Sequence, residues 1–299
     1  MGKFHSKTSG VIRVNKNITA IVFTRNEVRR LPYVIDNLKG FCDILVCDGG
    51  STDGTLDYCN KNNIKYVIRP ELGEDFLGPK TYGWAFGNVT TGYILHVICS
   101  HFYPRELLNS FSKIANENKL SAVYHSVLVY RYGRVVHRPL VRNIPSGCNF
   151  FNYSAINFKN SKIHDELGIK FDKKTMVRLE ASDELSLHLF QDEDCESFTN
   201  KTIKYATEEA FQQFKSGKRV GWFGVLIKPV MRFIYSYFRT GAFIRGVPGL
   251  LYSMLNLMYD FNVNIILWEL CHDLNLQGGI KKSSLVRGKL IKNSTKAKK

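Results

Sequence analysis

Residues 18–55 read ITAIVFTRNEVRRLPYVIDNLKGFCDILVCDGGSTDGT, and the order of apolar and polar segments in this stretch decides the fold. Ile18–Thr24 is a short apolar run rich in β-branched residues, the pattern of a buried parallel strand, and Arg25-Asn26-Glu27 follows at its carboxyl end. Val28–Leu38 predicts a helix, with Val28, Leu31, Val34, Ile35 and Leu38 on one face at spacings of three and four. Ile44–Cys47 predicts a second strand that runs straight into Asp48-Gly49-Gly50-Ser51-Thr52-Asp53-Gly54-Thr55. Strand, helix and strand in this order imply an open α/β sheet, in which ligands sit beyond the carboxyl ends of the strands. Both polar turns should therefore line one crevice.

Asp48 at a strand end can accept hydrogen bonds from a base edge or from sugar hydroxyls, while the glycines permit positive φ and close backbone approach. Ser51 or Asp53 can cap the helix expected to begin near Thr55. Taken singly, these residues also describe an ordinary capped turn; two polar turns at consecutive strand ends are harder to explain by packing alone.

With Thr24-Arg25-Asn26-Glu27 after the first strand and Asp48 through Thr55 after the second, the segment resembles the nucleotide-binding half of the family 2 glycosyltransferases, inverting enzymes with a GT-A fold. The resemblance implies an α/β protein with a Rossmann-like half, a mixed central sheet and C-terminal amphipathic helices. It also implies that Asn26, Glu27 and Asp48 contact the uridine of a nucleotide sugar, with Thr24, Ser51 and Asp53 in the same nucleotide-sugar-binding set.

The chain has 299 residues, 44% hydrophobic and 13% aromatic, enough for one large folded domain or a domain with an appendage. Its formal net charge of +16 calls for an anionic partner: a membrane surface, a nucleotide diphosphate or nucleic acid. The 7 cysteines are scattered without a C-x-x-C pair, which argues for a reducing compartment and against structural zinc. Residues 1–16 carry positive charges without an apolar core, so no secretory signal is expected there.

A third strand, Lys65–Ile68, leads into a turn-rich loop and then a helix over Lys80–Gly87. The resemblance implies that Lys80 lies near the donor diphosphate. After the next strand, Tyr93–Ile98, the family usually places an Asp-x-Asp element whose carboxylates hold Mg²⁺ or Mn²⁺, hard ions that prefer oxygen ligands. This chain has Cys99-Ser100-His101 there, so no metal ligand is assigned and no cofactor is expected with certainty. Either Lys80, Arg138 or Arg142 neutralises the diphosphate, with protonated His101 replacing part of the metal's charge, or transfer activity has been lost and the fold kept.

Tyr103–Asn118 predicts a further helix, and the alternating residues of Ala122–Arg142 predict a hairpin turning at Gly133. Inverting transfer needs a base for the acceptor hydroxyl, and Ile163-His164-Asp165-Glu166 offers the best remaining cluster. The lipopolysaccharide core glucosyltransferase-like branch of the family has a His-Glu pair at this point, which makes Asp165 or Glu166 the implied catalytic base. Phe198–Gly217, expected as a long helix, resembles the same branch.

Val220–Phe238 is too apolar for an exposed loop yet carries Lys228 and Arg232; with Arg239 these fall within about 40° of one another on a helix. Met231, Phe233, Ile234, Tyr237 and Phe238 spread over the opposite side, the pattern of a helix lying in a membrane interface. Leu250–Leu270 is a second apolar segment, and neither reaches the roughly 18 consecutive apolar residues of a spanning helix. Residues 281–299 are basic with no acidic residue and are expected to be disordered and drawn to anionic lipid.

The expected organisation is thus an N-terminal extension (1–17), a GT-A domain (18–217), a membrane-associating helical region (218–280) and a basic tail (281–299). The expected function is inverting transfer of a sugar from a uridine diphosphate sugar to a saccharide or lipid-linked glycan, without a metal, at the cytosolic face of a membrane. The alternative is a catalytically inactive nucleotide-sugar-binding or scaffold protein. Nucleic acid is set aside as a partner because the aromatic residues lie in apolar segments instead of alternating with basic ones.

Overall fold

The computed structural model describes residues 14–71, 79–138, 147–155, 175–191 and 194–296. The chain divides into two compact units, Met1–Gln191 and Asp192–Lys299.

The first unit is built on strands β1 (Asn15–Thr24), β2 (Cys42–Asp48), β3 (Tyr66–Ile68) and β4 (Tyr93–Ile98), which pair in parallel in the order β3-β2-β1-β4. The sheet continues through β8 (Gly147–Asn152), β6 (Ala122–Arg131), β10 (Ser186–Gln191) and β5 (His101–Phe102), with β7 (Arg134–His137) and β9 (Met176–Arg178) pairing on β6. β8 runs antiparallel to both β4 and β6, so a parallel nucleotide-binding half passes into a mixed second half. This is the α/β arrangement that the GT-A reading requires.

Helices cover both faces. On one, α1 (Leu31–Leu38), α2 (Thr55–Lys61) and α4 (Arg105–Glu117) bury Leu31, Leu38, Cys59, Leu107 and Phe111 against Ile18, Val22, Val46 and Leu95. Phe111 stacks on Phe150 at a centroid distance of 4.5 Å, and Phe150 stacks on Tyr93 at 5.1 Å, which ties α4 to β8 and β4. On the other face α3 (Pro79–Phe86) packs Tyr82, Ala85 and Phe86 on Ile21, Phe23, Cys47 and Ile94. Each fully buried side chain of this kind contributes ~1.5–3 kcal/mol, so the two apolar layers hold the strand ends in place.

α1 starts at Leu31, later than the expected Val28, because the carbonyl of Glu27 accepts from both Arg30 and Leu31 in a tight turn and Pro32 sits in the first helical turn. The expected hairpin is present: Tyr132 and Gly133 both have positive φ, 53° and 68°, as a two-residue turn between twisted strands needs.

The second unit consists of helices α5 (Cys195–Lys215), α6 (Trp222–Arg239), α7 (Gly246–Cys271) and α8 (Leu276–Lys296). Asp194 caps α5 by accepting from Ser197 N at 2.8 Å. α5 and α6 both pack on α7, with small residues Ala206 and Ala210 on α5 and Leu255, Val263 and Leu267 on α7 buried. Tyr259 donates to the Glu209 carboxylate, and Arg232 pairs with Asp260 at 2.7 Å. The basic tail differs from expectation in being helical as far as Lys296.

Candidate functional site

β1 and β2 end side by side, with Thr24 opposite Asp48, and a backbone hydrogen bond from Gly49 N to Thr24 O at 2.8 Å closes the pair. Asp48 is fully buried at this junction. Its Oδ1 accepts from Gly50 N and Ser51 N, both at 2.8 Å, and its Oδ2 accepts from the hydroxyls of Thr24, at 3.0 Å, and Ser51. The carboxylate is therefore the hub that folds the loop after β2, with its acceptor positions filled by its own neighbours.

The loop after β1 is laced to the same hub. Asn26 N donates to Ser51 Oγ at 2.8 Å while Asn26 Oδ1 accepts from Thr52 N at 2.8 Å, a two-way contact that requires the left-handed φ of 57° which asparagine tolerates. Glu27 N donates to Thr55 Oγ1 at 2.9 Å and Val28 N to Asp53 Oδ2 at 3.1 Å. Asp53 Oδ1 accepts from Thr55 N at 3.0 Å, the first N–H of α2, but neither capping candidate holds the N-cap position, which is Gly54 and has no side-chain cap. Partial burial works against ionisation of Asp53, but these hydrogen bonds outweigh it and hold the carboxyl below its usual value. Gly50 and Gly54 have φ of 85° and 92°, which lets the chain turn twice within five residues.

Of the residues expected to touch a nucleotide, Thr24, Asn26, Asp48, Ser51 and Asp53 are thus brought together, but their hydrogen-bonding capacity goes largely into building the loop pair. Glu27 pairs in a fork with Arg30, at 2.7 and 2.6 Å, which orients its carboxylate at the rim. What the loops leave facing outward is backbone and glycine: a Cβ at Gly50 would meet nothing within 4 Å. Lys80 stands exposed in the first turn of α3.

The end of β4 departs from the expectation for His101. Its ring is buried, with Nδ1 3.1 Å from the Tyr103 hydroxyl and 3.4 Å from Ile98 N. Burial first, then the neighbouring His96 and His125, hold the imidazole well below its ordinary pKa, so His101 is neutral near pH 7 and supplies no positive charge. Cys99 is also buried, its thiol pushed up by burial. A hard divalent ion takes oxygen ligands, and a protonated thiol beside an engaged imidazole does not supply them. The residues at this strand end do not fit Mg²⁺ or Mn²⁺. Among the described residues no group of three or more His, Cys, Asp or Glu is placed to share an ion.

Arg138 pairs with Asp183. Arg142, Asp165 and Glu166 lie outside the described residues. Sequence reasoning missed Arg69, which follows β3 directly and donates its backbone N–H to Asp48 O at 2.7 Å. The signal that points to it is its place at a third strand end.

No family model matches the chain. An uncharacterised glycosyltransferase of Rickettsia conorii is 23% identical over 248 residues, an alignment covering 81% of this chain and 86% of the relative. The lipopolysaccharide core biosynthesis glycosyltransferase LpsC of Rhizobium meliloti is 26% identical over 259 residues, covering 82% and 89%. The chain is a homologue of glycosyltransferases. Among solved structures, S. aureus TarS 1–349 in complex with UDP-GlcNAc is similar at a TM-score of 0.45 and 14% identity, covering 86% of this chain and 92% of that one. In this glycosyltransferase homologue the interlocked polar loops stand at the ends of β1 and β2, where an α/β protein holds a ligand.

Proposed function

We propose that the chain is an inverting family 2 glycosyltransferase of the hexosyltransferase type, taking a uridine diphosphate sugar as donor and a saccharide or lipid-linked glycan as acceptor. The observation that carries this reading is the interlocked loop pair at the ends of β1 and β2, built by Asp48, Asn26 and Asp53 around two positive-φ glycines. Its relationship to LpsC favours an envelope glycan as acceptor. In the reaction the acceptor hydroxyl oxygen bonds to the anomeric carbon from the face opposite the nucleotide. The bond from that carbon to the phosphate oxygen breaks, the nucleoside diphosphate leaves, and Asp165 or Glu166 takes the hydroxyl proton.

The residues at the end of β4 favour catalysis without a divalent ion, and equally favour a second reading, an inactive nucleotide-sugar-binding scaffold. Turnover of UDP-sugars by the full chain in excess chelator separates the two. Persistent release of UDP supports metal-free transfer; binding without turnover, with every donor and metal supplied, supports the scaffold.

Residues 218–280 and the basic segment after them are assigned to an anionic membrane surface at the cytosolic face. Between Glu209 and Asp260 the chain carries Lys215, Lys218, Arg219, Lys228, Arg232, Arg239 and Arg245 and no acidic residue. In α6 Trp222 is 70% exposed and Tyr235 61%, with Phe223, Leu226 and Met231 also exposed, so the helix presents uncovered apolar side chains in addition to its cations. No described helix is long and apolar enough to cross a membrane. Co-sedimentation with vesicles containing anionic lipid, against neutral vesicles and an oligonucleotide at the same salt, tests the assignment.

A further inference from the structure

The loop pair at the ends of β1 and β2 uses its own carboxylates and hydroxyls internally, which leaves open what grips a ligand there. The third strand end supplies an answer. Arg69 is fixed beside the hub by the hydrogen bond from its N–H to the carbonyl of Asp48. Side chains alternate along β3: Val67 packs against the apolar cluster that holds Phe23, Cys47 and, from α3, Ala85 and Phe86, whereas Ile68 is 55% exposed. The same alternation puts Arg69 on the Val67 side, the face covered by α3, which begins with Lys80 in its first turn.

The guanidinium is a cation at every working pH, with five N–H donors and no acceptor. Its Nε and Nη2 are both buried, and among the described residues neither has a hydrogen-bond partner. Buried donors on a charged group are costly when unmatched, and native proteins retain such groups where something else completes the set. Only an oxygen acceptor completes this one. The negative charge of a nucleoside diphosphate, in turn, meets no hard-cation ligand set at the end of β4, where Cys99 and His101 are buried.

We propose that Arg69 is a donor-binding residue whose guanidinium takes an acceptor oxygen of the nucleoside diphosphate, a role that rests on the donor-site reading given above. The oxygen belongs to a phosphate or to the nucleoside, and the two share the same chemistry, a lone pair met by a fixed cationic fork. Arg69 meets the hub through its backbone N–H alone; among the described residues its side chain builds none of the loop hydrogen bonds, so replacing the side chain leaves the crevice intact.

Calorimetric titration of the full chain with UDP, UMP and uridine, for the wild type, Arg69→Gln and Arg69→Lys, tests this. Arg69→Gln should bind UDP about 10- to 100-fold more weakly, the loss expected for hydrogen bonds to a charged group, and Arg69→Lys should recover part of it. The midpoint of thermal unfolding without ligand should stay level or rise, because unmatched buried donors have been removed. An equal loss for uridine places the oxygen on the nucleoside and a loss confined to the phosphorylated ligands places it on phosphate; both uphold the proposal. Wild-type affinity for UDP in Arg69→Gln, or a lowered unfolding midpoint with affinity unchanged, overturns it while the donor site stands. A wild type that binds no nucleoside diphosphate removes the donor site itself, and the proposal with it.

Discussion

Replacing Asp48 by alanine removes, in one step, the acceptor for Gly50 N, Ser51 N and the hydroxyls of Thr24 and Ser51. A hydrogen bond contributes ~0.5–1.5 kcal/mol net, and about 1.5–3 when one partner is charged, with a further penalty where a buried donor is stranded. Because the residue is fully buried, water does not replace the lost partners, and the sum for Asp48→Ala is about 3–5 kcal/mol. Asp48→Asn keeps the volume and the Oδ1 contacts but turns an NH₂ toward Thr24 and Ser51, a loss of about 1–2 kcal/mol. The assay is urea unfolding followed by tryptophan fluorescence, paired with calorimetric titration of UDP on each variant while still folded. The expected order of stability is wild type, Asn, Ala, with UDP affinity falling in the same order, since the carboxylate acts by shaping the loops. If Asp48→Ala unfolds at the wild-type urea concentration, the hub does not exist. If stability falls in Asp48→Asn while affinity stays unchanged, the loop pair does not form the donor site.

Gly54→Ala places a side chain at φ 92° and should destabilise by about 1–2 kcal/mol in the same urea assay, whereas Gly83→Ala, in α3 with open space around it, should not. Burial lowers His96 and His125 to about 4 and holds His101 well below its usual value, so between pH 4 and 6.5 the unfolded chain binds more protons than the folded one. Stability should therefore be complete above pH 7 and fall as the solution is acidified through 6.5; His101→Gln should flatten that slope, and an unchanged slope would refute a neutral buried imidazole. Trp222→Ala with Phe223→Ala should weaken binding to anionic vesicles at least tenfold and leave donor turnover in detergent unchanged. Binding that is insensitive to salt between 50 and 500 mM would contradict the cationic contribution.

Much of the fold was legible because its signals are local. The β-branched run before Arg25 and the apolar stripe Leu31, Val34, Ile35 and Leu38 report burial directly through their periods, and Gly133 marks its hairpin through the φ it alone accepts without strain. The start of α1 was misread because the Val28 apolar spacing continues the helical pattern while the Glu27 turn and Pro32 decide the geometry. The tail 281–299 reads as disordered by its charge, whereas α8 carries it on as helix to Lys296. The loop pair was legible as a place more than as chemistry. Asp48, Asn26 and Asp53 stand at the strand ends as the sequence has them, but the filling of their polar atoms depends in part on contacts between residues 24 to 26 positions apart. Burial of His101 likewise depends on long-range pairing, with Leu189 of β10 opposite it, and nothing in the sequence around Arg69 marks its donors as buried.

A crystal structure of the full chain soaked with UDP tests the central claim most directly. The account predicts the uridine lying against the backbone of residues 48–50 at the ends of β1 and β2, with the Asp48 hydrogen bonds unbroken. Density for the nucleotide elsewhere on the molecule, with this strand-end crevice closed by side chains, would contradict it.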